Sequence, residues 1–235
     1  MWIGCALIAI ALWGCSGITG LLGGSRGARS QWFATALGAA GSGIGLAVAG
    51  AALSGAVSAV IHFRSVLPGQ QFTLRLDALA AFFLVPVFFI GLMGSIYGLG
   101  YWEQTAHPRT GQRVRLCYGL LVASMALVAL AGDGVMFLFA WEVMALCAFF
   151  LVSTEDHKKE VREAGWLYLA STHAGTLILF ALFALLRLSA GSFELLPLVR
   201  AGTGLRSAVF FTSLAGFGFK AGCRKSRGLV AGVMV

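Results

Sequence analysis

The fold class of this chain is decided by residues 135–152, which read VMFLFAWEVMALCAFFLV. The stretch is apolar throughout except for Glu142, which stands near its middle. The hydrocarbon core of a bilayer takes about 20 predominantly apolar residues of α-helix. The segment therefore predicts a membrane-spanning helix that carries one ionisable side chain near mid-depth.

The composition of the whole chain is that of an integral membrane protein. Of the 235 residues, 59% are hydrophobic and 11% are charged, and the mean hydropathy is +0.88. A soluble domain needs more charge than this to cover its surface. The net charge of +8 would also suit a nucleic-acid-binding protein, but the basic residues fall in short loops between apolar runs. We therefore expect a lipid bilayer around much of the chain and no nucleic-acid partner.

Apolar segments along the chain predict an all-α, polytopic bundle of about seven transmembrane helices. The segments are residues 2–22, 32–61, 78–100, 114–131, 135–152, 165–188 and 205–222. The second is longer than an untilted helix needs, so it is tilted or its ends lie elsewhere. When loops are assigned to alternate sides, one side holds 11 basic residues and the other holds 5, and Lys220 completes the 17. The side richer in Lys and Arg is cytoplasmic in membrane proteins, which predicts the amino terminus outside and the carboxyl terminus inside.

Other sequence features indicate helix packing and capping. Gly41 and Gly45 have the GxxxG spacing that lets membrane helices approach closely. Asp133 is expected to be solvated or to cap a helix, and Asp77 is expected to cap the third segment. The five cysteines are scattered, so we interpret them as small apolar packing residues. The chain has no nucleophile paired with a base, no phosphate-binding loop and no metal-ligand cluster, so we expect neither catalytic residues nor a metal.

Glu142 is the most informative residue of the sequence. A charged side chain at the centre of a bilayer costs about 2.5–3.5 kcal/mol even on an insertion scale that gives low costs. A protonated Glu142 that hydrogen-bonds within the bundle and holds two helices together is one explanation. A carboxyl group that takes up a proton from one side and releases it to the other is the second, and intramembrane acids favour it.

Two further ionisable residues, Lys220 and His173, stand in apolar segments. Lys220 follows GFGF (residues 216–219), and its side chain either snorkels to the cytoplasmic surface or is a buried ammonium that changes its charge. His173 lies in LASTHAG (residues 169–175), and it either relays protons or is a neutral core histidine. We favour the relay because Ser171 and Thr172 supply hydroxyl groups at the same depth.

Four segments together resemble the antiporter-like membrane subunits of respiratory complex I, of multisubunit sodium/proton antiporters and of membrane-bound hydrogenases. The combination of Trp-Glu in mid-helix with GFKAG two helices later is specific to that family. The sequence around residues 101–115 and around His173 most resembles that of the large antiporter-like membrane component of hydrogenase-4 or of formate hydrogenlyase. The four segments are residues 75–83, 132–152, 165–176 and 216–222.

The resemblance implies a role in redox-driven proton translocation, in which Glu142 and Lys220 are the family's fifth-helix glutamate and seventh-helix lysine. It implies no redox cofactor in this chain, because electron transfer occurs in other membrane and peripheral subunits of a respiratory or hydrogenase complex. The chain itself would then be a multi-pass protein of the cell inner (plasma) membrane and would not be the redox-catalytic chain.

The resemblance also divides the chain into three parts. Residues 1–70 form an N-terminal two-helix region, residues 71–222 form the first half of an antiporter-like core, and residues 223–235 form an atypical tail. Family members run to about fourteen helices, so we expect this chain to be truncated to the N-terminal half. Two alternatives to redox-driven proton translocation follow: a structural membrane anchor or non-functional remnant, and a cation/proton antiporter subunit.

Overall fold

The computed structural model describes residues 1–22, 27–64, 71–103, 108–195 and 202–220. These residues form seven α-helices and one antiparallel β-hairpin. In chain order the elements are α1 (Trp2–Leu22), α2 (Gly27–Leu53), β1 (Ala59–Arg64), β2 (Gln71–Leu76), α3 (Ala78–Tyr101), α4 (Pro108–Leu130), α5 (Gly134–Val152), α6 (Lys159–Ala190) and α7 (Thr203–Lys220). The predicted tail, residues 223–235, lies outside the described residues.

The architecture is a polytopic bundle of apolar helices, as the composition predicts. Among the described residues, α2, α3, α4, α5 and α6 are long and apolar enough to cross a membrane, and α1 contains a shorter apolar stretch, Trp2–Ile18. The seventh helix, α7, is not among these candidates, and it includes both Arg206 and Lys220 within its 18 residues. The helical class is therefore confirmed, whereas the number of seven spans and the orientation stay predictions.

The second predicted segment is wrong at both of its ends. Helix α2 begins at Gly27 and ends at Leu53, and residues 59–61 belong to strand β1. Gly55 has a φ of 76°, a left-handed conformation that suits glycine and turns the chain out of the helix. Strand β1 then pairs with β2 in a register that runs from Ala59 opposite Leu76 to Arg64 opposite Gln71. Residues 59–61 are as apolar as the end of α2, but their backbone N–H and C=O groups are hydrogen-bonded across the hairpin instead of along a helix.

The main core lies among α1, α2, α3 and α4, around Trp13. The indole Nε1 of Trp13 donates to Ser42 Oγ at 3.2 Å, and Ser42 Oγ donates to the carbonyl of Phe88 at 2.9 Å. Small residues allow this contact, because a Cβ on Gly41 would lie 2.9 Å from the carbonyl of Ala9, and one on Gly45 would overlap the Phe88 ring. The predicted packing role of these two glycines is confirmed, with Gly41 facing α1 and Gly45 facing α3.

Asp133 ties the hairpin to the start of α5. Its Oδ1 accepts from the backbone N–H of Met136 at 2.8 Å, and its Oδ2 accepts from that of Thr73 at 2.6 Å. Only 1% of Asp133 is exposed, so the capping prediction is confirmed and the solvated alternative is wrong. The carbonyl of Gly132 accepts from Leu195 N at 3.0 Å, which adds the segment after α6 to the same junction. This end of the bundle is thus fixed, and α5 begins at a defined residue.

Candidate ion-pair site within the membrane helices

The candidate site is centred on Glu142 of α5. Because Asp133 fixes the start of α5 and a helix rises about 1.5 Å per residue, Glu142 lies roughly 12 Å along the helix from Gly134. The segment around it is apolar, and 26% of its side chain is exposed in the described part of the chain. The carboxylate is directed towards α6 and α7, which supply all of its described partners. A single acid in the middle of α5 therefore faces both α6 and α7.

Lys220, the last residue of α7, forms an ion pair with Glu142. Its Nζ lies 3.0 Å from Glu142 Oε1, and only 1% of its side chain is exposed. The ammonium also lies 5.2 Å from the ring centroid of Trp141, a distance at which the face of the indole attracts a cation. The snorkelling alternative is wrong, because the side chain points into the bundle and is covered there. The geometry agrees with the other alternative, a buried ammonium, and a change in its charge stays a prediction.

Two glycines bring α6 and α7 close enough for this ion pair. A Cβ on Gly175 would lie 2.8 Å from Lys220 Cγ and 3.1 Å from the carbonyl of Gly216. A Cβ on Gly216 would lie 2.6 Å from Leu179 Cδ2. Side chains at either position would separate the helices, since membrane helices approach most closely at small residues. The aliphatic stem of Lys220 therefore lies directly on the backbone of α6.

His173 of α6 faces the second oxygen of the carboxylate. Its Nε2 lies 3.7 Å from Glu142 Oε2, and its Nδ1 lies 3.0 Å from the carbonyl of Leu169. A carbonyl can only accept, so Nδ1 carries the proton and the Nε2 of a neutral ring presents a lone pair. A lone pair and a carboxylate oxygen repel each other unless a proton lies between them. At 3.7 Å the two atoms are too far apart for a direct hydrogen bond, so His173 faces Glu142 without bonding to it, and its ring is half exposed.

Thr176 is a site residue that the sequence analysis missed. Its hydroxyl donates to Glu142 Oε1 and lies 3.0 Å from the carbonyl of Thr172. The hydroxyls chosen from the sequence are engaged elsewhere, because Ser171 bonds the carbonyl of Tyr168 and Thr172 bonds that of Leu169. The signal was present in the spacing, since residues three apart on a helix share a face. Thr176 stands three residues after His173 and so reaches the same carboxyl group.

The site combines one carboxyl group with an ammonium, a hydroxyl and an imidazole. One carboxylate contacts an ammonium and a hydroxyl through Oε1 and faces an imidazole through Oε2. Within the described ranges, no three His, Cys, Asp or Glu side chains cluster in a way that suits a metal ion. The positive charge opposite Glu142 is instead supplied by Lys220. Each of the three ionisable groups can gain or lose a proton while its helix stays in place.

Replacing Gly175 with alanine is expected to disturb the ion pair. The new Cβ would overlap Lys220 Cγ and crowd the Gly216 carbonyl, and overpacking of this kind costs about 1–3 kcal/mol. Thermal unfolding in detergent should show a lower melting temperature for Gly175→Ala. Gly218→Ala is the matched control, because a Cβ at that position in α7 meets nothing within 4 Å. Equal melting temperatures for both variants would contradict the packing account.

Comparison with known proteins gives the chain relatives among membrane subunits. Residues 131–224 match the family described as the transmembrane region of NADH:quinone oxidoreductase and Mrp antiporters. An uncharacterised protein of Mycobacterium tuberculosis is 34% identical over 190 residues, which are 80% of this chain and 29% of that protein. Hydrogenase-4 component B of Escherichia coli is 28% identical over 209 residues, which are 88% of this chain and 28% of that protein. The chain thus spans less than a third of the length of these relatives.

The fold also matches a solved structure. The Mrp complex from Dietzia sp. superposes with a TM-score of 0.73 at 21% sequence identity, covering 93% of this chain and 23% of the matched chain. At this identity the match concerns the fold alone. The arrangement of helices and hairpin described above is therefore one that occurs in multi-subunit membrane complexes.

Proposed function

Over residues 131–224 the chain belongs to the NADH:quinone oxidoreductase/Mrp antiporter family of membrane subunits, and on that premise we propose that it translocates protons as one subunit of a redox-driven complex. One observation carries the proposal. A lysine whose side chain is almost wholly covered lies 3.0 Å from a glutamate at the middle of an apolar helix. Ionisable pairs inside a membrane are expensive to keep and typically mark ion or proton pathways.

The geometry supports a proton path from His173 to Glu142 and on to Lys220. A proton that reaches Glu142 Oε2 from His173 neutralises the carboxylate. The ammonium of Lys220 then loses its counter-charge, and the free energy of keeping it charged in a covered position rises. Lys220 then releases its proton to water, Glu142 transfers its own proton to the neutral amine, and the ion pair re-forms. The apolar surroundings strengthen this coupling, because charges interact more strongly in a low dielectric.

The redox chemistry in this proposal takes place outside the chain. The chain carries no redox group of its own, and electrons pass through other membrane and peripheral subunits of a respiratory or hydrogenase-type complex in the plasma membrane. Extraction in mild detergent followed by a native gel and mass analysis identifies those partners. We expect the chain in a band that also contains oxidoreductase subunits; migration as a free chain of 24.6 kDa would argue for the alternative of an isolated remnant.

Deleting the chain is expected to lower the number of protons moved per electron pair in membrane vesicles. The reason is that the Glu142–Lys220 pair is part of the conducting path in this proposal. Proton movement is followed with a pH-sensitive dye while substrate oxidation is measured in parallel, and the undeleted strain is the control. An unchanged ratio of protons to electrons would instead support the structural-anchor alternative, in which only assembly depends on the chain.

A cation/proton antiporter is the second candidate, since the family's description includes Mrp antiporters. The site favours protons over metal cations, because the ammonium of Lys220 occupies the position next to Glu142 that a cation would take. Proton movement in the vesicles is therefore expected to be the same in sodium, potassium and choline salts. A requirement for sodium or potassium would replace the first proposal with the second.

A further inference from the structure

A small cavity lies among α1, α2, α3 and α4, and none of its lining residues belongs to the Glu142 site. Its volume is about 100 Å³, which exceeds the roughly 30 Å³ that one water takes in the liquid. It lies near the carboxyl-terminal ends of α1 and α3 and near the amino-terminal ends of α2 and α4. Four hydroxyl-bearing side chains and one guanidinium line it: Ser16, Thr35, Ser95, Tyr118 and Arg115.

Arg115, which lines the cavity, has two buried donors without a described acceptor. Its Nε and Nη2 are covered, and among the residues that the structure describes neither atom has a hydrogen-bond acceptor. No carboxylate in the described ranges pairs with Arg115 either. Nε and Nη2 form one edge of the guanidinium, and their two parallel N–H groups match two oxygens of a phosphate or carboxylate. Buried donors of a charged group are rarely left without an acceptor.

The exposed aromatic residues near the cavity indicate that it lies at the level of the lipid headgroups. Large aromatic side chains at this end of the bundle are exposed, and Trp and Tyr are enriched where a membrane protein crosses the interface between lipid and water. The exposed rings are Trp32 near the start of α2, Tyr97 and Tyr101 at the end of α3, and Trp166 in the second turn of α6. Ser95 and Tyr97 are two residues apart in α3, so the cavity and these rings share one depth. At that depth the abundant anion is the phosphate of a phospholipid.

We propose that this cavity binds a phosphate group, and that the group belongs to an anionic phospholipid of the leaflet at this end of the bundle. Arg115 Nε and Nη2 donate to two phosphate oxygens, and the hydroxyls of the wall supply further polar contacts. The acyl chains stay in the bilayer beside the bundle. This end is also the one that the loop charges predict to be cytoplasmic, where anionic lipids concentrate and basic pockets between helices bind their headgroups. The site is independent of Glu142, Lys220 and His173.

The test compares lipid retention by three forms of the 235-residue chain: wild type, Arg115→Gln and Arg113→Gln. Arg113 is the matched control, since it lies on the same helix, does not line the cavity, and has its guanidinium 5.1 Å from the centroid of the Phe150 ring. Each form is delipidated in detergent, titrated with phosphatidylglycerol or phosphatidylcholine, and analysed by native mass spectrometry. We expect one phosphatidylglycerol on the wild type and on Arg113→Gln, and about tenfold weaker binding or more to Arg115→Gln, as for loss of a charge-assisted bidentate contact.

A second measurement needs no variant. The melting temperature of the wild-type chain is followed as phosphatidylglycerol, phosphatidylcholine or inorganic phosphate is added. A rise with phosphatidylglycerol alone supports the lipid site, and a rise with inorganic phosphate as well supports the phosphate site with a soluble anion as its source. Equal binding of phosphatidylglycerol by all three forms would overturn the proposal. So would a melting temperature that rises with neither phosphatidylglycerol nor inorganic phosphate. If Arg115→Gln does not fold, Arg115→Lys replaces it in the test, because lysine keeps the charge but cannot make the bidentate contact.

Discussion

Replacing Glu142 with glutamine is expected to abolish proton translocation while leaving the chain folded and assembled. Glutamine has nearly the shape of glutamate and still accepts a hydrogen bond from Thr176, but it neither binds nor releases a proton. The path through the site then loses the group that faces both His173 and Lys220. Removal of a positioned proton carrier typically costs two to four orders of magnitude in rate. Proton movement in vesicles should therefore fall at least about a hundredfold by this measure.

The matched control for Glu142→Gln is Glu155→Gln. Glu155 lies in the turn after α5, and its carboxylate pairs with Lys158 at 2.8 Å on the surface. The substitution is the same and the chain loses the same charge, yet we expect transport to be unchanged. A native gel shows whether both variants still assemble. Normal transport by an assembled Glu142→Gln variant would contradict the proton-path proposal, even though the chain resembles the family.

Replacing Lys220 with methionine is expected to destabilise the chain. Methionine fills the same volume but leaves the Glu142 carboxylate without its cation. Removing one partner of a buried ion pair costs about 3–5 kcal/mol. For a chain of this length 1 kcal/mol corresponds to about 2–4 °C, so the melting temperature in detergent should fall by on the order of 10 °C.

The double variant Glu142→Gln with Lys220→Met separates the ion pair from simple packing. Without a carboxylate there is no unpaired charge, so the double variant should regain much of the stability that Lys220→Met loses. Transport should stay absent in the double variant. If the double variant melts as low as Lys220→Met or lower, the loss comes from the packing of the lysine stem on Gly175, and the electrostatic account is wrong.

The helices were predictable from the sequence because membrane spans are set by a single strong signal. Long apolar runs must hydrogen-bond internally in lipid, so hydropathy alone gives α1 and α3 to within a few residues. The hairpin was not predictable in this way. Residues 59–61 are a short apolar run that continues from α2, and such runs fit a helix end or a strand equally well. What decided it was the left-handed Gly55 together with strand β2, a partner that lies beyond the run itself.

The three ionisable residues of the site were predictable, but their arrangement was not. Glu142, Lys220 and His173 stand out because ionisable groups are rare in apolar segments. The direction of the Lys220 side chain depends on how closely α7 approaches α6, and that distance is set by Gly175, 45 positions earlier in the chain. Sequence position alone therefore left both snorkelling and burial open. Thr176 was missed because we chose the hydroxyls next to His173 in sequence, whereas the residue three positions later shares its helix face.

The pairing of consecutive helices has a consequence for how the protein is made. Each of α5, α6 and α7 packs against the helix before it, and α4 returns to α1, so a synthesising ribosome delivers every helix to a neighbour that has already entered the bilayer. Contacts between sequence neighbours also form fastest. The lysine arrives last. Until α7 docks on α6, Glu142 has no ammonium beside it, so the Glu142–Lys220 ion pair forms only at that step.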